Sequence, residues 1–371
     1  MRPPVAVWAA GEVPWHVGEA GPQRHPDIGS PVMELRALGR TGVKVSELCL
    51  GAMTFGRAGE TDEDTARVIV DRFLEAGGNF IDTADVYAAG VSEEMLGRIL
   101  EGRRDGIVLA TKCRFSMGED PNLQGANRRH IAQAVDASLR RLRTDWIDLY
   151  QIHGWDPGPQ IEETMSALDD CVRAGKVRYL GVSNYTAWQI AKSNAVAGAR
   201  GSEPFVAVQP QYSVAVRDVE REILPLCVAD GLAVIPWSPL GGGLLTGKYR
   251  PGSEAPKDSR AANPTPASAM IRRRLENDRM LAAADAVGEV AREIGRSPAQ
   301  VALNWCLHRA GVTAPIIGVR TPEQLQDNLG ALGWQLDQAI VDRLDDASAI
   351  ELGYPHDVHQ MFGIRPKTWG A

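Results

Sequence analysis

The sequence predicts an α/β chain folded as a closed (β/α)8 barrel, and three observations lead there. Short apolar runs alternate with amphipathic helix patterns through most of the chain, and strands that alternate with helices imply a parallel sheet. Eight strand–helix units can be read in a row, the count of a TIM barrel. An open doubly wound sheet, the alternative, usually carries G-x-G-x-x-G after its first strand. Here that position reads Gly51-Ala52-Met53-Thr54-Phe55-Gly56, which does not fit.

Taken in order, the chain opens on residues 1–32, rich in Pro and Gly, with Trp8 and Trp15 and no sustained period. This stretch reads as a disordered or loosely attached extension, or as sequence upstream of a true start at Met33. Patterned sequence then begins. Residues 33–38 and 43–45 flank Gly39-Arg40-Thr41-Gly42 and predict a β-hairpin. Barrel strands are expected at 47–50, 79–81, 107–110, 147–151, 177–182, 205–208, 233–236 and 312–316. Helices are expected at 62–76, 92–100, 128–141, 161–174, 187–199 and 219–229. A long helix around 271–294 and two more at 298–308 and 322–330 complete the set. The helix from residue 161 illustrates the warrant: Met165 and Leu168 recur at helical spacing while Glu162 and Glu163 lie off that face. Residues 33–350 thus form one barrel domain. A long Gly- and Pro-rich insertion at 238–270 follows the seventh strand, and long loops in compact domains are functional or disordered. Residues 351–371 are a tail with Tyr354, His356, His359, Phe362 and Trp369, expected to fold over the barrel mouth.

Composition narrows the function classes. The chain has 40 Lys and Arg against 47 Asp and Glu, a net charge of −7 and a pI near 5.6. That argues against general affinity for nucleic acid or an anionic membrane, and leaves room for a local basic phosphate pocket. No apolar run approaches the roughly 20 residues that span a bilayer. Cys49, Cys113, Cys171, Cys227 and Cys306 are odd in number and none has C-x-x-C spacing, so a disulfide framework or zinc site is not expected and a cytoplasmic location fits. Helix faces on a barrel exterior read alike whether solvated or paired, so the sequence sets no oligomeric state.

Chemistry collects at the C-terminal ends of barrel strands. Asp82 and Tyr87 follow the second strand, Lys112 the third and His153 the fourth. Each has a plain explanation alone: Asp82 as a cap, Tyr87 as helix packing, Lys112 reaching for water, His153 as a core histidine. Together they converge on one rim, which packing explains poorly. A phenol titrates near pH 10 and is a poor acid at neutrality. A nearby ammonium lowers that value, a carboxylate holds the ammonium, and an imidazole orients a carbonyl oxygen. The set suits protonating an oxygen while its carbon receives a hydride, which only a cofactor supplies.

These residues, with Gly181-Val182-Ser183-Asn184, Gln209-Pro210-Gln211-Tyr212, residues 236–249 and residues 317–328, make the chain resemble the aldo-keto reductase family over almost all of 33–353. The resemblance implies a (β/α)8 barrel that reduces an aldehyde or ketone with NADPH, without metal. It implies Tyr87 as general acid, Lys112 lowering its pKa, Asp82 holding Lys112 and His153 placing the carbonyl. By the same resemblance Ser183, Asn184 and Gln209 bind the nicotinamide carboxamide. Trp237 stacks under the ring, where the family commonly has Tyr. Ser238, Leu240, Gly242, Leu245 and Lys248 clasp the pyrophosphate. Gly318 and Arg320 open the eighth helix, with Arg320 on a 2′-phosphate and Gln324 and Asn328 toward the adenosine, which favours NADP+ and NADPH over the unphosphorylated pair. A helix N-terminus favours anions in any case. Phe55 and Trp155 are candidate substrate contacts, with Met53, Phe115 and Tyr212 as further apolar wall. Two other readings stay open: a nucleotide-sensing regulatory subunit that keeps the cofactor site, and an unrelated barrel enzyme.

Overall fold

The computed structural model describes residues 33–57, 60–249 and 266–364. The expectations for residues 1–32, for the middle of the 238–270 insertion and for Trp369 lie outside the described residues. The described chain opens on an antiparallel hairpin of β1 (Leu35–Ala37) and β2 (Lys44–Ser46), with Leu35 opposite Ser46. Strand β3 (Cys49–Gly51), helix α1 (Glu63–Glu75), β4 (Phe80–Asp82), α2 (Val91–Ile99) and β5 (Val108–Cys113) follow. Then come α3 (Arg128–Leu142), β6 (Ile147–Ile152), α4 (Ile161–Arg173), β7 (Val177–Ser183), α5 (Ala187–Arg200) and β8 (Phe205–Gln209). The chain continues through α6 (Ile223–Asp230), β9 (Ala233–Val234), α7 (Pro266–Leu275), α8 (Asp278–Ile294), α9 (Pro298–Leu307), β10 (Ile316–Gly318) and α10 (Pro322–Leu329). It ends, as described, with α11 (Gln338–Ala347) and α12 (His356–Met361).

Strands β3 to β10 form one parallel eight-stranded sheet in the order β10-β3-β4-β5-β6-β7-β8-β9. The two ends meet. Val234 of β9 bridges Val312, and its carbonyl accepts from the Thr313 amide at 2.8 Å. The Ile316 amide donates to the Pro236 carbonyl at 2.8 Å. The curled sheet is therefore a (β/α)8 barrel.

Strand alternation divides the core into two layers. Cys49, Phe80, Ala110, Leu149, Ala207, Ala233 and Ile316 form an inner cluster together with Leu38 and Val45 of the hairpin. Their neighbours Leu50, Ile81, Leu109, Tyr150, Val208, Val234 and Ile317 face the helices in an outer cluster. The hairpin thus stoppers the end of the barrel opposite the strand C-termini. Helices start where short polar side chains cap them: Asp62 accepts from the Thr65 amide, Asn127 from His130 and Thr321 from Gln324. Ser297 and Gln300 make a full capping box with Pro298 in the first turn. Each cap contributes about 1 kcal/mol.

Several boundaries differ from the sequence reading. The helix expected around 271–294 is two, because Asn277 caps α8 by accepting from the Met280 amide. The helix expected at 219–229 begins as a 3-10 turn at Asp218–Glu220, and α6 starts only at Ile223. Here Glu220 is drawn into a buried network, accepting from Tyr212 at 2.6 Å and from Arg217 at 2.8 Å. The last strand forms at Ile316–Gly318, just past Pro315, which has no amide to donate. Helix α11 escaped the reading because Leu344 is its sole fully buried side chain, too little for an apolar stripe. The tail meets the rim beside the β8–α6 connection, where Arg221 donates to the Glu351 carbonyl at 2.6 Å.

The stopper rests on one residue. Gly39 has φ of +61°, and a β-carbon there would lie 2.8–2.9 Å from backbone atoms of Val206, Gly231 and Ala233. Both the left-handed backbone and the rigid neighbours oppose a side chain. Gly39→Ala is expected to lower unfolding free energy by about 1–3 kcal/mol, read from urea denaturation; an unchanged midpoint would contradict the packing described.

Candidate active site

Strand β4 delivers Asp82 to the rim, and the loop that follows turns sharply. Ala88 and Ala89 both have positive φ, 49° and 54°, a conformation that costs a non-glycine residue about 1–2 kcal/mol. Such outliers persist where surrounding structure holds them, often at functional sites. This turn sets Tyr87 over Lys112 of β5. Lys112 is wholly buried, as is nearly all of Asp82. The Lys112 ammonium donates to Asp82 Oδ1 at 2.5 Å, to the Thr83 carbonyl at 2.8 Å and to the Tyr87 hydroxyl at 3.3 Å. The His153 ring stands edge-on to Tyr87, with centroids 5.7 Å apart. The four residues read from the strand ends do converge on one mouth.

Their electrostatics follow from burial and neighbours. Burial alone would strip Lys112 of its charge, but Asp82 and Tyr87 outweigh it and its pKa lies above the ordinary lysine value. Burial, with Lys112 and Arg114 nearby, pushes His153 well below its usual range, so the imidazole is neutral near pH 7. For Tyr87 the balance runs against the sequence expectation. Lys112 does pull the phenol down, yet burial pushes it up more, and the net direction is upward.

A cleft of about 630 Å3 runs from this mouth toward α10. Tyr87, His153, Met53, Ser183, Asn184, Gln209 and Trp237 surround its inner part. Ser238, Leu240, Gly242 and Lys248 form its middle, and Gly318, Arg320, Gln324 and Asn328 its far end. The inner groups order one another. Ser183 Oγ donates to the Gln209 carbonyl at 2.8 Å, and Asn184 Nδ2 to the His153 carbonyl at 2.9 Å. Trp237 Nε1 donates to Asn184 Oδ1 at 3.1 Å. In the middle, Arg274 of α7 donates to the Gly241 carbonyl at 2.5 Å and fixes the glycine turn. At the far end, the Arg320 amide donates to Gln324 Oε1 at 2.9 Å across the first turn of α10.

The donor set fits a dinucleotide. Amides and a hydroxyl suit a carboxamide, an indole face suits a nicotinamide, and a glycine turn with Lys248 suits a pyrophosphate. An Arg beside a helix N-terminus suits a further phosphate. Among the described residues, no group of three His, Cys, Asp or Glu is placed to hold a metal ion.

Some expected contacts fall elsewhere. Phe55 is fully buried in the outer core, where its backbone bridges Thr61, so it cannot touch a ligand in the cleft. Tyr212 is likewise buried, spent on Glu220. Leu245 packs in the core beneath the glycine turn. Trp155 stands outside the cleft walls, edge-on to Tyr185 at 5.1 Å and to Trp188 at 5.7 Å. Phe115 flanks His153 at 4.8 Å.

Two residues of the site were given no role in the sequence reading. Gln151, two places before His153 and facing the barrel interior, donates to Asp82 Oδ2 at 3.0 Å. Asp85 is wholly buried, and neither of its oxygens has a hydrogen-bond partner within the described protein. It lies among Glu93, Arg141 and Lys112, and burial followed by Glu93 lifts its pKa to about 7. Its place three residues after Asp82, in the loop that leads to Tyr87, was a usable signal, but its burial was not readable.

The family model described as Aldo/keto reductase family matches residues 47–349. Norsolorinic acid reductase stcV of Emericella nidulans is 39% identical over 327 residues, covering 85% of this chain and 81% of its own. The uncharacterized oxidoreductase YrpG of Bacillus subtilis is 39% identical over 326 residues, covering 85% and 95%. An aryl-alcohol dehydrogenase [NADP(+)] of Phanerodontia chrysosporium is 35% identical over 333 residues, covering 85% and 86%.

Asp85 yields a pH prediction. Its folded pKa is raised from 3.8 to about 7, so the folded state holds a proton that the unfolded state releases. Wild-type stability therefore falls, as far as this group is concerned, while pH rises from about 4 to about 7, and the loss is complete above that. Asp85→Asn keeps the neutral form. Its stability relative to wild type should climb over that window by a few kcal/mol and then level off. Denaturation midpoints taken across the window test this, and a constant difference would refute it.

Proposed function

The chain belongs to the aldo/keto reductase family, and we propose that it reduces an aldehyde or ketone to an alcohol with NADPH, Tyr87 acting as general acid. The observation that carries this reading is the Lys112 ammonium, buried between Asp82 Oδ1 and the Tyr87 hydroxyl at the inner end of a cleft of about 630 Å3 that is lined further along by Lys248 and Arg320.

Ser183, Asn184 and Gln209 would hold the carboxamide and Trp237 the ring face. Both Nε2 protons of Gln209 are committed to Asp82 Oδ2, at 2.8 Å, and Gln151 Oε1, at 3.2 Å, which leaves its Oε1 to accept from the carboxamide. The bound reduced nicotinamide supplies the hydride. The residues of the chain supply the rest. Neutral His153 donates a hydrogen bond to the carbonyl oxygen without competing for its proton. Tyr87 gives its proton to the developing alkoxide, and Lys112 stabilises the phenolate left behind. Asp82 keeps Lys112 charged and in place. Because Tyr87 lies above its ordinary pKa before ligands bind, it is fully protonated at neutral pH and ready to act as the acid. In the reverse direction the same phenol must first lose its proton, so oxidation of an alcohol is favoured at alkaline pH.

Arg320 at the start of α10 supports NADPH over NADH. The aromatic rim of Phe115 beside His153, with Trp155 and the exposed Trp188 further out, supports an aromatic carbonyl. One of the relatives is named an aryl-alcohol dehydrogenase, in keeping with that class.

NADPH oxidation followed with a panel of aromatic and aliphatic aldehydes tests the activity. Tyr87→Phe should lower kcat by about 10²–10⁴-fold, and equal rates in the two proteins would remove Tyr87 from the mechanism. Arg320→Ala should weaken NADPH binding by about tenfold or more, the worth of a charge-assisted hydrogen bond, while NADH binding barely changes. Equal losses for both nucleotides would refute the 2′-phosphate assignment.

A further inference from the structure

Asp82 has two oxygens, and Lys112 uses only one. The other, Oδ2, accepts from Gln151 Nε2 at 3.0 Å and from Gln209 Nε2 at 2.8 Å. Gln209 Nε2 also donates to Gln151 Oε1 at 3.2 Å. An ionised carboxylate only accepts, so both amides must turn nitrogen toward it. The second proton of Gln209 then fixes Gln151 in the same sense. The result is a closed ring of two amides and one carboxylate oxygen, fully buried on the Gln151 side.

The barrel is built around this ring. Gln151 is the register partner of Lys112 on β5 and of Gly181 on β7. A β-carbon at residue 181 would lie 3.0 Å from Gln151 Cγ and 3.1 Å from Leu149 Cδ1. Glycine at 181 thus leaves the space that the glutamine side chain occupies.

We propose that Gln151 is a positioning residue: by holding Asp82 Oδ2 it fixes the rotation of the carboxylate, and so keeps Lys112 seated beneath the Tyr87 hydroxyl. This rests on the reading of Tyr87 as the acid. Without Gln151, the carboxylate keeps a single amide on Oδ2 and is free to rotate about its last bond. The Lys112 ammonium then follows Asp82 rather than Tyr87. The ionisable groups acting on the phenol are Lys112, Asp82 and Asp85, with the neutral His153 ring edge-on to it. Lys112 is the sole cation among them, so its displacement makes the phenol a weaker acid.

The test is Gln151→Met, close in shape and unable to donate. Phenolate ultraviolet absorbance is titrated in wild type and in the variant, each against its Tyr87→Phe counterpart, so that the difference isolates one phenol. The midpoint for Tyr87 should rise by about half a unit or more, a threefold or larger drop in phenolate at a given pH. With NADPH and an aromatic aldehyde, kcat should fall about tenfold while KM for the aldehyde stays within about threefold, the pattern of an interaction made in the transition state. The alkaline rise of the alcohol-oxidation rate should move to higher pH in step with the titration. An unmoved midpoint overturns the proposal whether or not kcat falls, because a purely structural role lowers activity without changing the phenol. Should Gln151→Met fail to fold, Gln151→Asn keeps the amide but falls one methylene short of Asp82, and the same titration decides. If wild type reduces no carbonyl at all, the reductase reading fails, while the titration still reports on Gln151.

Discussion

The buried ion pair of Lys112 and Asp82 is the constraint on which the rest of the site depends. An ammonium taken wholly out of water is costly, and removing one partner of such a pair destabilises by about 3–5 kcal/mol. The fold tolerates it because every polar atom of the pair is met. Lys112 reaches Asp82, the Thr83 carbonyl and Tyr87. Asp82 adds two amides on its far oxygen. That saturation requires four strands, β4, β5, β6 and β8, to present one residue each to a single point. Only a closed barrel with inward alternation brings them there.

The outer layer serves the same point from behind. Glu93 of α2 accepts from Thr111 at 2.6 Å and from Arg141 of α3 at 2.6 Å. Thr111 is the neighbour of Lys112, so the strand that carries the ammonium is tied to two helices through a buried carboxylate. Asp85 sits in the same layer with no partner of its own. Arg141 pairs with Glu93, and burial followed by the Glu93 charge raises the Asp85 pKa to about 7.

The sequence made the tetrad legible because strand ends are visible as the point where an apolar run meets a polar residue. Asp82, Lys112 and His153 all stand there. Tyr87 was legible through its loop, although the left-handed turn at Ala88 and Ala89 was not, since alanine gives no sign of positive φ. Gln151 ends the strand expected at 147–151 and precedes His153 by two, yet it was given no role. Whether such a residue faces the barrel interior depends on register, which one sequence does not state. Phe55 was misplaced for a related reason: the chain after β3 bends into a bridge with Thr61 and turns the ring into the core. The long helix failed at Asn277, a residue tolerated within a helix and favoured at its start, so composition alone did not separate the two.

The hairpin beneath the barrel has a consequence for traffic. Among the described residues, Leu38 and Val45 fill the lower end with hydrocarbon beneath the inner cluster. In the proposed reaction, a phenolate left on Tyr87 would regain its proton from the upper opening, through the passage by which an alcohol product would leave. Product departure and proton replenishment would then share one doorway, and a slow-leaving product would hold back both.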